Sequence, residues 1–265
     1  MNRIESRLEH LKEENKKAFI TYVTAGLPDM DTTKRIIKAQ EEAGTSIIEL
    51  GVPFSDPIAD GPVIQEASYE AILGGANLEK TFSCVKELRE EGVEIPIVFM
   101  MYYNTVLHYG LEEFAKTCNA TGVDGLIIPD LPFEEQSELM DELEKYDATI
   151  LLQLISPVSG ERIPKILENA RGFVYCVSSM GVTGQSADFH KEIINYLKNV
   201  KAISKIPVMM GFGIRTAGDV EPMKEYIDGA IVGTHFINIL RESNFDTRVV
   251  KEYCSSFIKE LNVNQ

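Results

Sequence analysis

The sequence predicts an α/β fold, a single-domain (β/α)8 barrel with an extra N-terminal helix and a long insertion after the second strand. Three observations predict it. Eight short apolar runs recur along the chain, an amphipathic segment follows each of them, and no Gly/Ser-rich linker or shift of composition divides the 265 residues. The runs are nearly continuous rather than alternating, as parallel strands covered on both faces require. A doubly wound open sheet fits less well, because no G-x-G-x-x-G fingerprint follows the first strand. Residues 1–265 are therefore read as one TIM-barrel domain.

The strands fall at residues 18–25, 46–52, 95–102, 125–131, 149–155, 173–178, 207–213 and 229–234. Helical periodicity occupies 32–43, 78–91, 111–119, 134–145, 163–169, 191–204, 216–226 and 247–261. Residues 4–16 read as an additional helix able to close the barrel bottom. The insertion at 52–75 holds a Pro-rich loop and a short helix at 63–73, and a further short helix is expected at 238–241.

Composition narrows the function. With 41 acidic and 26 basic side chains the formal net charge is −15, which argues against nucleic acid as a partner. It leaves room for one phosphate held by backbone amides. The longest apolar stretch, residues 95–103, is far short of the ~20 residues a membrane helix needs. The first residues, MNRIESRLEHLKEENKK, contain no apolar core of a secretory signal, so a cytoplasmic protein is expected. Cys84, Cys118, Cys176 and Cys254 are scattered and form no ligand pair, and no metal site is expected. Neither H-E-x-x-H, G-x-S-x-G nor a Walker motif occurs. Carboxylates and backbone amides are left to do the chemistry.

In a barrel, chemistry sits at the C-terminal strand ends and the loops after them. Strand 2 reads Ser46-Ile47-Ile48-Glu49-Leu50-Gly51, and period-two alternation puts Glu49 on the face of Ile47, opposite Ile48 and Leu50. Facing the interior, that carboxylate would be desolvated and its pKa raised towards neutrality. The loop beyond it, residues 52–62, carries three prolines with Asp56 and Asp60, and can hold a second carboxylate over the mouth. Either Asp alone is ordinary turn chemistry. Glycines cluster at the ends of strands 6, 7 and 8: Gly181 and Gly184, Gly211 and Gly213, and Gly233. Such loops expose backbone N–H groups to an anion. A carboxylate on one side of the mouth and an anion cradle on the other call for an elongated phosphorylated substrate.

The block Glu49-Leu50-Gly51-Val52-Pro53-Phe54-Ser55-Asp56-Pro57-Ile58-Ala59-Asp60-Gly61-Pro62 closely resembles the signature of the tryptophan synthase α subunit family. Tyr22-Val23-Thr24-Ala25-Gly26, Val123 to Pro132, Gly181-Val182-Thr183-Gly184 and Gly211-Phe212-Gly213-Ile214 follow in that family's order. The resemblance implies a lyase that cleaves indole-3-glycerol phosphate to indole and glyceraldehyde 3-phosphate without a metal or cofactor of its own. It implies Glu49 as acid/base and Asp60 as acceptor of the indole N–H. Tyr22, Met100, Ile127, Pro129, Tyr175 and Thr183 would surround the substrate, and Gly184, Phe212, Gly213, Gly233 and Thr234 would hold the phosphate. Pro53, Phe54, Asp56 and Asn104 would meet a β subunit carrying pyridoxal phosphate in an α2β2 complex. A free-standing indole-releasing lyase and a non-catalytic regulatory barrel are the alternatives. Leu27, Gln153, Met180 and His235 depart from the residues usual in the family.

Overall fold

The computed structural model describes residues 2–177, 187–211 and 213–263. Nine parallel strand segments, β1 (Ala18–Thr24), β2 (Ile47–Gly51), β3 (Ile97–Met100), β4 (Gly125–Ile127), β5 (Ile150–Leu151), β6 (Gln153–Ile155), β7 (Val174–Cys176), β8 (Val208–Gly211) and β9 (Gly229–Val232), form one sheet. Their order is β5-β4-β3-β2-β1-β9-β8-β7-β6. The two edges belong to one stretch of chain broken only at Leu152, so the sheet comes round to a nearly closed barrel. Expected strand 5 is split because β5 pairs only with β4 and β6 only with β7. The stagger that closes a tilted barrel moves the chain from one neighbour to the other at that residue.

The helices are α1 (Arg3–Glu13), α2 (Met30–Glu42), α3 (Pro62–Leu73), α4 (Leu78–Glu90), α5 (Tyr103–Tyr109), α6 (Leu111–Thr121), α7 (Ser137–Glu144), α8 (Ile163–Leu167), α9 (Ala187–Ile203), α10 (Thr234–Glu242) and α11 (Thr247–Leu261). Residues 216–226 form two 3-10 turns instead of the expected helix, Ala217–Asp219 and Glu221–Tyr226. Pro222 has no N–H to give to the preceding turn, so an α-helical ladder cannot run across it. Helix α10 is longer than the expected 238–241, because Phe236, Ile237 and Leu240 already bury a helical face right after the strand.

The barrel bottom is closed by α1, as expected. Its spacing Ile4, Leu8, Leu11 puts one buried stripe on the barrel. Asn2 caps it by accepting from the Ile4 and Glu5 amides, while Glu5 accepts from the Asn2 N–H. Ile4 reaches so far under the strands that a Cβ on Gly125 would lie 2.8 Å from its Cδ1. Burying a side chain of that size contributes roughly 1.5–3 kcal/mol.

Register decides which side chains face inward. Tyr22 pairs with Glu49, Glu49 with Val98, and Met100 with Ile127, and residues paired in this way share a face. Ala18, Ile20, Tyr22 and Thr24 alternate inward on β1, whereas Thr21 points out and donates to Gln40 of α2. Among the described residues no helix is long and apolar enough to cross a membrane.

Candidate active site

Glu49 is an ionisable side chain set among the apolar residues of the barrel interior. It sits inward on β2 between the Tyr22 and Val98 positions and is only 5% exposed. Burial pushes its carboxyl up to about 8, and the negative charge of Asp60 adds to the shift. No cation or hydrogen-bond donor among the described residues offsets this. At neutral pH Glu49 therefore carries a proton it can give.

Asp60 comes from the loop between β2 and α3. The loop is braced by its own turns, with the Ile58 amide donating to the Asp56 carbonyl and the Asp60 amide to the Pro57 carbonyl. Two outside groups hold Asp60. The Tyr102 hydroxyl, at the end of β3, donates to its Oδ2 at 2.9 Å, and Gln65 Nε2 donates to its backbone oxygen at 2.9 Å. Burial raises its carboxyl to about 6, against the opposing pull of the Tyr102 hydrogen bond. The pair is thus split: near pH 7 Glu49 is an acid and Asp60 an anion.

Two tyrosines face the same space. Tyr22 and Tyr175 are both held far above their usual range, first by burial and then by the charges of Asp60 and Glu49. Their rings lie where only glycine lets them. A Cβ on Gly51 would fall 2.0 Å from the Tyr22 oxygen, and one on Gly211 would fall 2.4 Å from that of Tyr175. The glycines at these strand ends thus make room for side chains rather than only for an anion. Met100 and Ile127 pair at the top of β3 and β4 and face inward, and Pro129 lies half-buried just beyond.

On the far side Gly213 has φ of +65° with open space around it, Gly233 is half-buried beside Tyr22, and Thr234 begins α10 exposed. Among the described residues no side chain accepts from their amides. Thr183, Gly184, Phe212 and Met180 lie outside the described residues. No trio of His, Cys, Asp or Glu among the described residues is grouped closely enough to hold a metal.

Sequence reasoning missed Tyr102 and Gln65. Tyr102 offered a signal, a polar-tipped aromatic at the very end of a strand facing the acidic loop. Phe54 is half-buried, its ring stacks on Tyr102 with centroids 5.1 Å apart, and its backbone exchanges hydrogen bonds with Ser68. An aromatic ring packs on its nearest apolar neighbour, and Tyr102 supplies one. Pro53 is buried, while Asp56 and Asn104 are exposed on the rim. Leu27 is buried, before a cis peptide to Pro28. Gln153 faces outward and donates to Gln136, clear of the interior. His235 packs edge-on to Tyr253 at 5.8 Å.

The family model for the tryptophan synthase alpha chain matches residues 8–264. The chain is 64% identical to the tryptophan synthase alpha chain of Lachnospira eligens, covering 99% of this chain and 100% of that one. It is 45% identical to that of Alkaliphilus metalliredigens, covering 98% and 97%. The crystal structure of tryptophan synthase subunit alpha from Legionella pneumophila superposes with a TM-score of 0.90 at 33% identity over 99% of both chains. An aminoacrylate-bound tryptophan synthase from M. tuberculosis gives 0.86 at 31% identity, covering 99% and 100%. The chain belongs to the tryptophan synthase alpha chain family.

Proposed function

We propose that this chain cleaves indole-3-glycerol phosphate to indole and glyceraldehyde 3-phosphate by a retro-aldol reaction, with Glu49 and Asp60 as its catalytic residues. The observation that carries the reading is a Glu49 buried inward at the barrel mouth beside an Asp60 held by Tyr102, an arrangement that pushes the first carboxyl up to about 8 and the second to about 6. Glu49 gives its proton to indole C3, and the ring nitrogen becomes positive. Asp60 accepts the N–H and stabilises that charge in a site screened from water. The carboxylate left on Glu49 then takes the proton of the glycerol hydroxyl next to the breaking C–C bond. The electrons of that bond return to the ring, the aldehyde forms, and Glu49 ends the cycle protonated. No electron acceptor is needed, so the chain requires no cofactor of its own.

Tyr22, Met100, Ile127, Pro129 and Tyr175 would wall the ring. Backbone amides around Gly213, Gly233 and Thr234 would receive the phosphate, with the start of α10 adding its dipole. We place the chain in the cytoplasm as one 265-residue domain, in an α2β2 complex with a β subunit that carries pyridoxal phosphate. Pro53, Phe54, Asp56 and Asn104 would contribute the contact, with Phe54 acting through its stack on Tyr102 to link partner and Asp60.

The test measures indole release by the isolated chain, by Glu49→Gln, and by each with a β subunit present. Glu49→Gln is expected to lose at least ~100-fold in rate, the ordinary worth of general acid–base catalysis. Near-native cleavage by that variant would sink the assignment. Cleavage unaffected by the β subunit would favour a free-standing lyase, and no cleavage under either condition a regulatory barrel.

A further inference from the structure

We propose that Arg241 is a positioning residue for Asp60, tying the anion-binding start of α10 to the acid loop through α3; this rests on the reading of the site given above. Arg241 lies in the last turn of α10. Its Nη1 is 2.6 Å from Glu66 and its Nη2 3.0 Å from Glu70, both on α3. The two carboxylates are one helical turn apart, so a single guanidinium ties two successive turns of α3 to α10. The helices also meet at the other end. A Cβ on Gly233, the residue before α10, would come within 3.8 Å of Ile64 Cδ1 in the first turn of α3.

Helix α3 in turn sets the main chain of Asp60. Its N-cap, Gly61, has no side chain to anchor the entry of the loop. The anchor is instead Gln65, whose Nε2 donates to the Asp60 carbonyl and, at 3.4 Å, to that of Pro57. Gln65 is the residue next to Glu66. A shift of α3 relative to α10 therefore moves Asp60 relative to the phosphate cradle, although Arg241 touches neither substrate nor reacting atoms. Losing Arg241 also leaves Glu66 and Glu70 as an unrelieved like-charge pair on α3.

The experiment compares wild type, Arg241→Ala, Arg241→Lys and the double variant Glu66→Gln/Glu70→Gln. It reads kcat and KM for indole-3-glycerol phosphate, competition by inorganic phosphate, and hydrogen exchange across residues 53–61. Partly exposed ion pairs are individually weak, so Arg241→Ala is expected to lower kcat about three- to tenfold. KM and inhibition by inorganic phosphate should move less than about twofold. Arg241→Lys should recover part of the rate, the double variant, which has no like-charge pair, should lose rate but less than Arg241→Ala, and both losses should speed exchange in the loop. Unchanged kcat, or a rate loss matched by weaker phosphate inhibition, overturns the inference. Wild type that releases no indole would instead overturn the proposed reaction. Exchange in residues 53–61 still decides the tether in that case, and equal exchange in wild type and Arg241→Ala would refute it.

Discussion

Two buried carboxylates stand at opposite ends of this barrel. Asp124, at the bottom, is 2% exposed, and Glu49, at the mouth, is 5% exposed. Asp124 accepts from Arg3 at 3.1 Å, from Arg89 at 2.7 Å and from the Ile97 amide at 2.8 Å. Burial raises its pKa, while the two guanidinium groups and the amide pull it back. Among the described residues, the one charge acting on Glu49 is the negative charge of Asp60. The same chemical group is neutralised by partners at one end and left free to hold a proton at the other. Burial alone therefore does not mark a catalytic residue; burial without compensation does. The bottom end uses its charge to bind α1, whose Asn2 side chain also reaches the Asp124 carbonyl at 2.7 Å.

The contrast can be broken experimentally. The largest stability effect belongs to the bottom. Arg89→Met or Asp124→Asn strands buried charge and is expected to cost about 3–5 kcal/mol in denaturant unfolding, with kcat per folded molecule unchanged. Loss of turnover without loss of stability would reverse the roles of the two ends.

Glu49→Gln should do the opposite. The folded pKa of about 8 lies above the ordinary value of 4.5, so wild-type stability is full below 4.5 and is lost as pH rises towards and through 8. Gln has no proton to lose. The variant should match wild type near pH 4 and exceed it by roughly 2–4 kcal/mol at pH 9. Parallel curves for the two proteins would mean that Glu49 is not held uncompensated.

A finer effect concerns the pair itself. The kcat/KM profile should rise through about 6 as Asp60 ionises and fall through about 8 as Glu49 does, both being properties of the coupled pair. Tyr102→Phe removes a hydrogen bond that favours the ionised Asp60. It should move the acidic limb upward, by less than about one unit. An acidic limb that stays in place or moves down would show that Tyr102 does not tune Asp60.

By itself, the sequence determined the barrel, the face that Glu49 shares with Ile47 and the stiff loop bearing Asp60. Those follow from local rules: apolar runs too continuous for a half-exposed sheet, a two-residue period along each strand, and prolines that restrict the backbone wherever they stand. The 3-10 turns around Pro222 also follow from a local signal, its missing N–H. The break at Leu152 and the full length of α10 came from packing between elements, which no single segment encodes. The same holds for the chemistry. That Asp124 is paired while Glu49 is not depends on Arg3 and Arg89, distant in the chain from each other and from Asp124. That Phe54 stacks on Tyr102, and that Arg241 spans to α3, required helices and loops to be placed in space. A carboxylate's proton affinity is set by everything within a few ångströms of it, and only the tertiary structure decides what those neighbours are.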